Sequence, residues 1–167
     1  GSLRLDPQPV AMAALIEQAI PLVAALAQRH GVRLRQEECR GVARADRTRA
    51  LQVLVNLLTN GIRYNQPGGR VWLRLQSARL RGQPAWDLAV HDNGRGISAG
   101  EKERLFFPFY STRPGGMGFG LVIVKKLVSA MGGTIEVTSA AGRGTCFAFT
   151  LTLAPTDAPE GVDAAQA

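Results

Sequence analysis

Covalent and metal chemistry have little to draw on in this chain. Of its 167 residues, two are cysteine and two are histidine. Cys39 and Cys146 lie far apart and lack the close spacing of metal ligands. They are expected to be reduced thiols of a cytoplasmic protein, with no disulfide. No apolar run has the length of a membrane span, and no secretory leader pattern is present. Acidic residues are in the minority, 13 against 20 Lys and Arg, for a formal net charge of +7. That balance can favour nucleic acid, anionic lipid or phosphate ligands. Yet no five basic residues run together, and no basic stretch is interleaved with aromatics. A solvated, Arg-rich surface is the expected reading, with no nucleic-acid partner.

What is present suits one domain with a sizeable core: 46% of residues are hydrophobic and 20% charged. Gly1-Ser2 reads as a cloning scar, residues 3–153 as the domain, and the Pro-, Ala- and Asp-rich 154–167 as a disordered tail. The chain is thus expected to be a fragment of a longer protein. Leu3 to Leu5 is expected as a short edge strand. From Val10 to His30 the apolar residues Leu15, Ile16, Ala19, Leu22, Val23 and Leu26 recur at helical spacing. Pro21 is expected to kink or split that helix, and Gly31 to stop it. "VRLRQE" alternates as a strand. Asp46 stands where a helix cap would, before an apolar helix reaching Tyr64. "VWLRLQSARL" and "AWDLAVHD" read as two strands joined by "RGQP". "SAGEKERLFF" reads as a short helix capped by Ser98. "PFYSTRPGGMGFG" reads as a loop, and "LVIVKKLVSAM" as a helix closed by Gly132-Gly133. "TIEVTS" and "GTCFAFTLTL" pair around "AAGRG". Helices with a largely antiparallel sheet imply a two-layer α/β sandwich.

Three stretches could carry chemistry. In "LQVLVNLLTNGIRYN", Asn56 and Asn60 are four apart and share a face, extended by Gln52 and Arg63. Asn is a poor helix former, so two amides in so apolar a helix suggest a polar ligand facing them. An amide oxygen suits a hard cation such as Mg²⁺, whose other ligands are waters and phosphates. An amide pair bonding a neighbouring loop fits as well. In "HDNGRGIS", Asp92 ends a strand before Gly94 and Gly96. Asp-Asn-Gly is a strong turn signal; the same glycines could instead let a flat ligand lie on bare backbone while the carboxylate reads its edge. In "GGMGFGLVIVKK", Gly116, Gly118 and Gly120 precede a helix, whose N-terminus can bind phosphates. A Rossmann fingerprint fails here, because Ile123 stands where its third glycine belongs. A Walker loop fails because Leu121 follows Gly120. A flexible hinge remains open.

In this order the motifs resemble the catalytic ATP-binding domain of sensor histidine kinases, within the GHKL superfamily of gyrase, mismatch-repair ATPases and a heat-shock chaperone. "NLLTNGIRY" looks like the N box, "DNGRGI" like the G1 box, "LFFPFYS" like the F box, and "GMGFGLVIVKKLVSAMGGTI" like the G2 box with its following strand. The resemblance covers about Leu3 to Leu153. It implies a Bergerat-type fold: a mixed, mostly antiparallel sheet packed on about three helices, with ATP between the layers under a mobile lid. By that resemblance Asp92 accepts a hydrogen bond from the exocyclic amine of adenine, which excludes guanine, and Gly94 and Gly96 keep the backbone clear of the base. Asn60 matches the family's Mg²⁺ ligand, and Asn56 is the other amide near the phosphates; these two are the catalytic candidates. Arg63 stands where the family often has Lys. Tyr64 packs near the nucleotide, and Ile97 and Leu121 border the same site. Gly116, Gly118 and Gly120 cradle phosphates, Phe119 packs in the lid, and Arg113 reaches a phosphate. Phe106 and Phe109 match the F box, with Pro108 fixing the bend between them.

Met117 departs from the family's usual small polar residue, Phe119 replaces a common Leu, and the lid from Ser111 to Gly116 is short. The function implied is donation of the γ-phosphoryl group of ATP-Mg²⁺ to a histidine on a separate dimerisation domain of the same kinase. The resemblance implies a response regulator downstream and a cytoplasmic location, within a parent that can be membrane-anchored, and the fragment itself is expected to be monomeric. Three alternatives stay open. One is a serine kinase of the anti-sigma-factor type, against which the F box speaks. Another is an ATP-hydrolysing clamp, whose general-base Glu is replaced here by Asn56. The third is a nucleotide-binding domain without catalysis. Neither histidine is expected to be the acceptor: His30 ends a helix, and alternation turns His91 away from Asp92.

Overall fold

A computed structural model of the chain describes residues 4–108 and 120–153. The expected scar and tail lie outside them. The chain opens with β1 (Gln8–Ala11) and α1 (Met12–His30), then β2 (Arg33–Gln36) and β3 (Val42–Ala45). α2 (Arg47–Arg63) follows, then β4 (Arg70–Leu80) and β5 (Gln83–Asp92), and a one-turn helix α3 (Ala99–Lys102). α4 (Gly120–Ala130), β6 (Ile135–Ser139) and β7 (Thr145–Leu153) complete it. The seven strands form one sheet in the order β1-β3-β7-β5-β4-β2, with β6 also on β7. Only β2 and β4 pair in parallel; the other pairs are antiparallel. This is the expected mixed, mostly antiparallel sheet of an α/β sandwich.

The helices α1, α2 and α4 cover one face, because each carries an apolar stripe. Leu15, Ile16, Ala19 and Val23 of α1 are buried, as are Val53, Leu54, Leu57, Leu58 and Ile62 of α2, and Val124, Leu127 and Val128 of α4. They meet alternate strand residues: Val71 and Leu73, Leu88 and Val90, Phe147, Phe149 and Leu151. The side-chain period of two along a strand sends the intervening residues to the open face. Caps set the helix limits. Asp46 accepts from the Arg49 N–H at 3.0 Å, and Gly31 closes α1 in the left-handed region at φ 67°.

Several expectations are corrected. No strand runs through Arg4 and Leu5; the edge strand is Gln8–Ala11, which pairs with Val42–Ala45. That partner strand escapes a periodicity reading because it is four residues long and half alanine. The first helix therefore starts at Met12, with Val10 buried in β1. Pro21 does not split it: α1 is continuous, with Pro21 on its exposed side. The β4–β5 turn is Arg81-Gly82, both with positive φ (52° and 79°), rather than the four residues "RGQP". α3 stops at Lys102 instead of continuing to Phe107, and turns follow it.

Candidate functional site

Asp92 ends β5 on the helix-facing side, two residues beyond buried Val90. It is only 9% exposed, and burial pushes its carboxyl up to about 6, against lowering by the backbone N–H groups of Gly94 and Thr145. The Gly94 N–H reaches Oδ1 at 2.9 Å. Among the described residues no cation compensates the charge, so the ionised form is held at a cost. The chain around it leaves room for no further side chains. A Cβ on Gly94 would stand 2.5 Å from the Tyr64 carbonyl oxygen and 3.1 Å from Asp92 Oδ1. Gly96, at φ 73°, packs directly under the Ala140 carbonyl. These glycines are therefore required by close approach, and the turn reading and the pocket-floor reading of "DNGRG" hold together: the turn is what brings bare backbone beside the carboxylate.

The N-terminal wall is α2. Its Gly61 faces Asp92, since a Cβ there would lie 3.5 Å from Oδ2. Tyr64 caps α2, and its carbonyl accepts from the Arg95 N–H at 3.3 Å. The Arg95 guanidinium lies 5.0 Å over the Tyr64 ring and bonds Glu101 at 3.5 Å. Glu101 closes a capping box with Ser98, as that cap predicts. Ile97, half-buried, is anchored by its N–H on Ser139 Oγ at 2.8 Å. Asn65 and Asn93 tie the two ends of the site together, with Arg70 N–H donating to Asn93 Oδ1 at 2.8 Å.

Asn56 and Asn60 lie half-buried one turn apart on α2. Among the described residues neither amide has a hydrogen-bond partner, so neither is holding a neighbouring loop there. α4 packs against α2, and a Cβ on Gly120 would stand 3.9 Å from Asn56 Oδ1. The start of α4 thus meets the amide face. Among the described residues, no three His, Cys, Asp or Glu side chains converge on a metal position. A neutral amide face suits a cation that takes most of its charge compensation from phosphates. Arg63, in the last turn of α2, is exposed, and Leu121 is half-buried at the start of α4. Phe106 packs on the core with Lys125 over its ring at 5.3 Å, while Phe107 stays exposed. Phe109, Arg113, Gly116, Met117, Gly118 and Phe119 lie outside the described residues.

The structure adds residues that pattern reading passed over. Gly61 had a signal: a lone glycine inside a helix costs about 1 kcal/mol against alanine and needs a packing reason. Thr145 and Ser139 had none, because they reach the site only through strand pairing. His91 lies on the open face, stacked on Trp72 (centroids 5.2 Å apart, planes 6°) with Nε2 3.8 Å from Cys146 Sγ. Both cysteines are free thiols, and burial pushes that of Cys146 up to about 11. No helix among the described residues is long and apolar enough to cross a membrane.

Comparison with known proteins agrees with this geometry. The family profile described as histidine kinase-, DNA gyrase B-, and HSP90-like ATPase matches residues 45–155. The C4-dicarboxylate transport sensor protein DctB of Rhizobium meliloti (strain 1021) is 43% identical over 111 residues, 65% of this chain and 17% of that protein. The adaptive-response sensory kinase SasA of Parasynechococcus marenigrum (strain WH8102) is 38% identical over 112 residues, 64% of this chain and 28% of that one. The chain therefore spans less than a third of these relatives. Among solved structures, the mycobacterial sensor histidine kinase MprB superposes with a TM-score of 0.76 at 27% identity, covering 87% of this chain and 97% of that one. Full-length ShkA in complex with AMPPNP gives 0.78 at 28% identity, covering 92% and 32%.

Proposed function

The chain belongs to the family of histidine kinase-, DNA gyrase B- and HSP90-like ATPases, and on that premise we propose that it is the ATP-binding, phosphoryl-donating domain of a sensor histidine kinase. The observation that carries this reading is the buried carboxylate of Asp92 beside bare glycine backbone, facing a helix with two amides, none of them paired with a cation or a hydrogen-bonding side chain among the described residues. The adenine amine would donate to Asp92, while Gly94 and Gly96 admit the base and Tyr64 and Ile97 flank it. A guanine would set a carbonyl against the carboxylate, so ATP is favoured over GTP. Asn60, with Asn56 beside it, would hold Mg²⁺ through amide oxygens; that ion neutralises phosphate charge when bound. The N-terminus of α4 supplies backbone N–H groups for the phosphates. No carboxylate stands at Asn56 to take a proton from water, so transfer to an acceptor is favoured over hydrolysis. Positioning and charge neutralisation are the chain's contribution.

The acceptor is proposed to be a histidine on the dimerisation domain of the same kinase. His91 is enclosed by Trp72 and Cys146 on the face away from Asp92, and His30 ends α1. The ShkA structure, which holds AMPPNP, and the sensor kinases among the relatives support this reading. The test is incubation with γ-labelled ATP and Mg²⁺, with and without a separately purified dimerisation domain. Acid-labile label is expected on the added domain alone. Label on this chain, or acid-stable label on the partner, overturns the proposal.

A further inference from the structure

We propose that the open face of the sheet carries a second anion site, at the β2–β4 edge, that takes a diphosphate group. β2 pairs in parallel with β4 so that Arg33 stands beside Arg70, and Arg35 beside Trp72. Val71 and Leu73 point to the core, so Arg70 and Trp72 point away from it, and their partners Arg33 and Arg35 do likewise. Neighbouring strands are about 4.8 Å apart, which sets Arg33 and Arg70 side by side. Like charges so placed repel. The fold nevertheless keeps them together without an acid. The nearby Glu37 is occupied by Arg74 at 2.8 Å, and among the described residues no carboxylate pairs with Arg33, Arg35 or Arg70.

The three guanidinium groups line a groove of about 540 Å³ with Trp72, Glu37 and Asn93. That volume is in the range of small-ligand clefts, roughly 300–1,000 Å³. Its floor is stiff. Trp72 stacks in parallel on His91, the Arg70 guanidinium lies 5.1 Å over the indole, and Asn93 is held by the Arg70 N–H. Arginine forks match phosphate oxygens two at a time. One carboxylate cannot engage three forks, whereas two linked phosphates can, and their charge relieves the repulsion. Its arginines and Trp72 lie across the sheet from Asp92, with Asn93 at the edge that borders both, so the anion position is separate from the nucleotide position and does not rest on that assignment. Free diphosphate and the diphosphate of a nucleotide present the same chemistry.

The experiment is calorimetric titration of the chain with inorganic diphosphate, without nucleotide or Mg²⁺, at low and moderate salt. One site per chain is expected, weakened about tenfold or more in Arg33→Gln and Arg35→Gln and unchanged in Arg79→Gln. Ligand-free Arg33→Gln is expected to melt no lower than the parent, so that lost binding is not lost fold. A second arm titrates Asp92→Asn with ADP. A second ADP isotherm that Arg33→Gln removes, leaving only the weakened nucleotide position, names a nucleotide as the source, and absence of that second isotherm where diphosphate binds names the free anion; either supports the site. Absence of binding overturns the proposal. So does equal weakening in Arg79→Gln, which would mean an adventitious ion only, and so does undiminished binding in both Arg33→Gln and Arg35→Gln, which would place the anion elsewhere, at the nucleotide position.

Discussion

Asp46 at the start of α2 and Asp92 at the end of β5 are equally hidden from water, 8% and 9% exposed, yet their acidities move in opposite directions. Burial raises both. At Asp46 it is outweighed by N–H donors from Asp6 (2.9 Å), Arg49 (3.0 Å) and Thr48 and by the Arg49 charge, leaving the carboxyl below its usual value. At Asp92 only Gly94 and Thr145 donate, and burial wins. The difference is where each sits. A helix start has orphan N–H groups that need an acceptor, whereas a strand end has already used its own in the ladder. Asp46 is therefore a structural cap with its hydrogen bonds complete. Asp92 keeps acceptor capacity free beside open backbone, and its shift from 3.8 to about 6 amounts to about 3 kcal/mol against holding it ionised near pH 7.

The contrast is sharpest in Asp92→Asn. The proposed charge-assisted bond to adenine is lost there, so ATP affinity should fall about ten- to a hundredfold. The chain should also melt higher, by about 2–4 °C for each kcal/mol of relieved charge burial. Calorimetry and thermal melts read both; unchanged affinity would reduce the motif to a turn. Acidification should do reversibly what that variant does permanently. Below about 6 the folded chain protonates Asp92, and by pH 5 ATP affinity should be about tenfold weaker. The sign for stability is opposite to that for binding. Between 3.8 and about 6 the folded state holds the extra proton, so this carboxyl adds stability as pH falls and adds it in full below 3.8. Asp46 contributes above its unfolded value and loses that contribution as pH falls through its lowered folded one. Comparing urea midpoints from pH 7.5 to pH 4 in the parent and in Asp92→Asn isolates the first effect, which the variant should lack.

Asp46→Ala should lose about 1–2 kcal/mol of stability, the usual worth of such a cap. The affinity of the remaining folded chain for ATP should not change; a parallel loss would merge two roles that the geometry keeps apart. The smallest expected effect is at the phosphate end. Asn60→Ala should remove about 1 kcal/mol from ATP binding in Mg²⁺ and nothing from adenosine binding. Equal losses for both ligands would exclude a metal role.

Much of this was readable because it is local. Asp46 as a cap, Gly31 as a stop and the Ser98 box depend on residues within a few positions of one another. The apolar stripe of α2 and the shared face of Asn56 and Asn60 follow from helical period alone, and alternation in "AWDLAVHD" sends His91 and Asp92 to opposite faces. The turn at Arg81-Gly82 and the end of α3 were misread locally, and the larger misreadings came where a distant partner decides. β3 exists because β1 and β7 flank it, and Pro21 is tolerated because buried Leu15, Ile16, Ala19 and Val23 hold α1 down on both sides of it.

The sequence by itself determined the apolar stripes of the helices, the caps at Asp46, Gly31 and Ser98 and the order of the motifs, since each rests on period, turn chemistry or spacing. Only the tertiary structure decided that Gly61 and Thr145 border Asp92, that Ser139 anchors Ile97 and that Arg95 braces Tyr64. It alone set Arg33 beside Arg70 across two strands. Burial and like-charge contact are properties of neighbours brought together by the sheet, and no run of residues carries them along the chain.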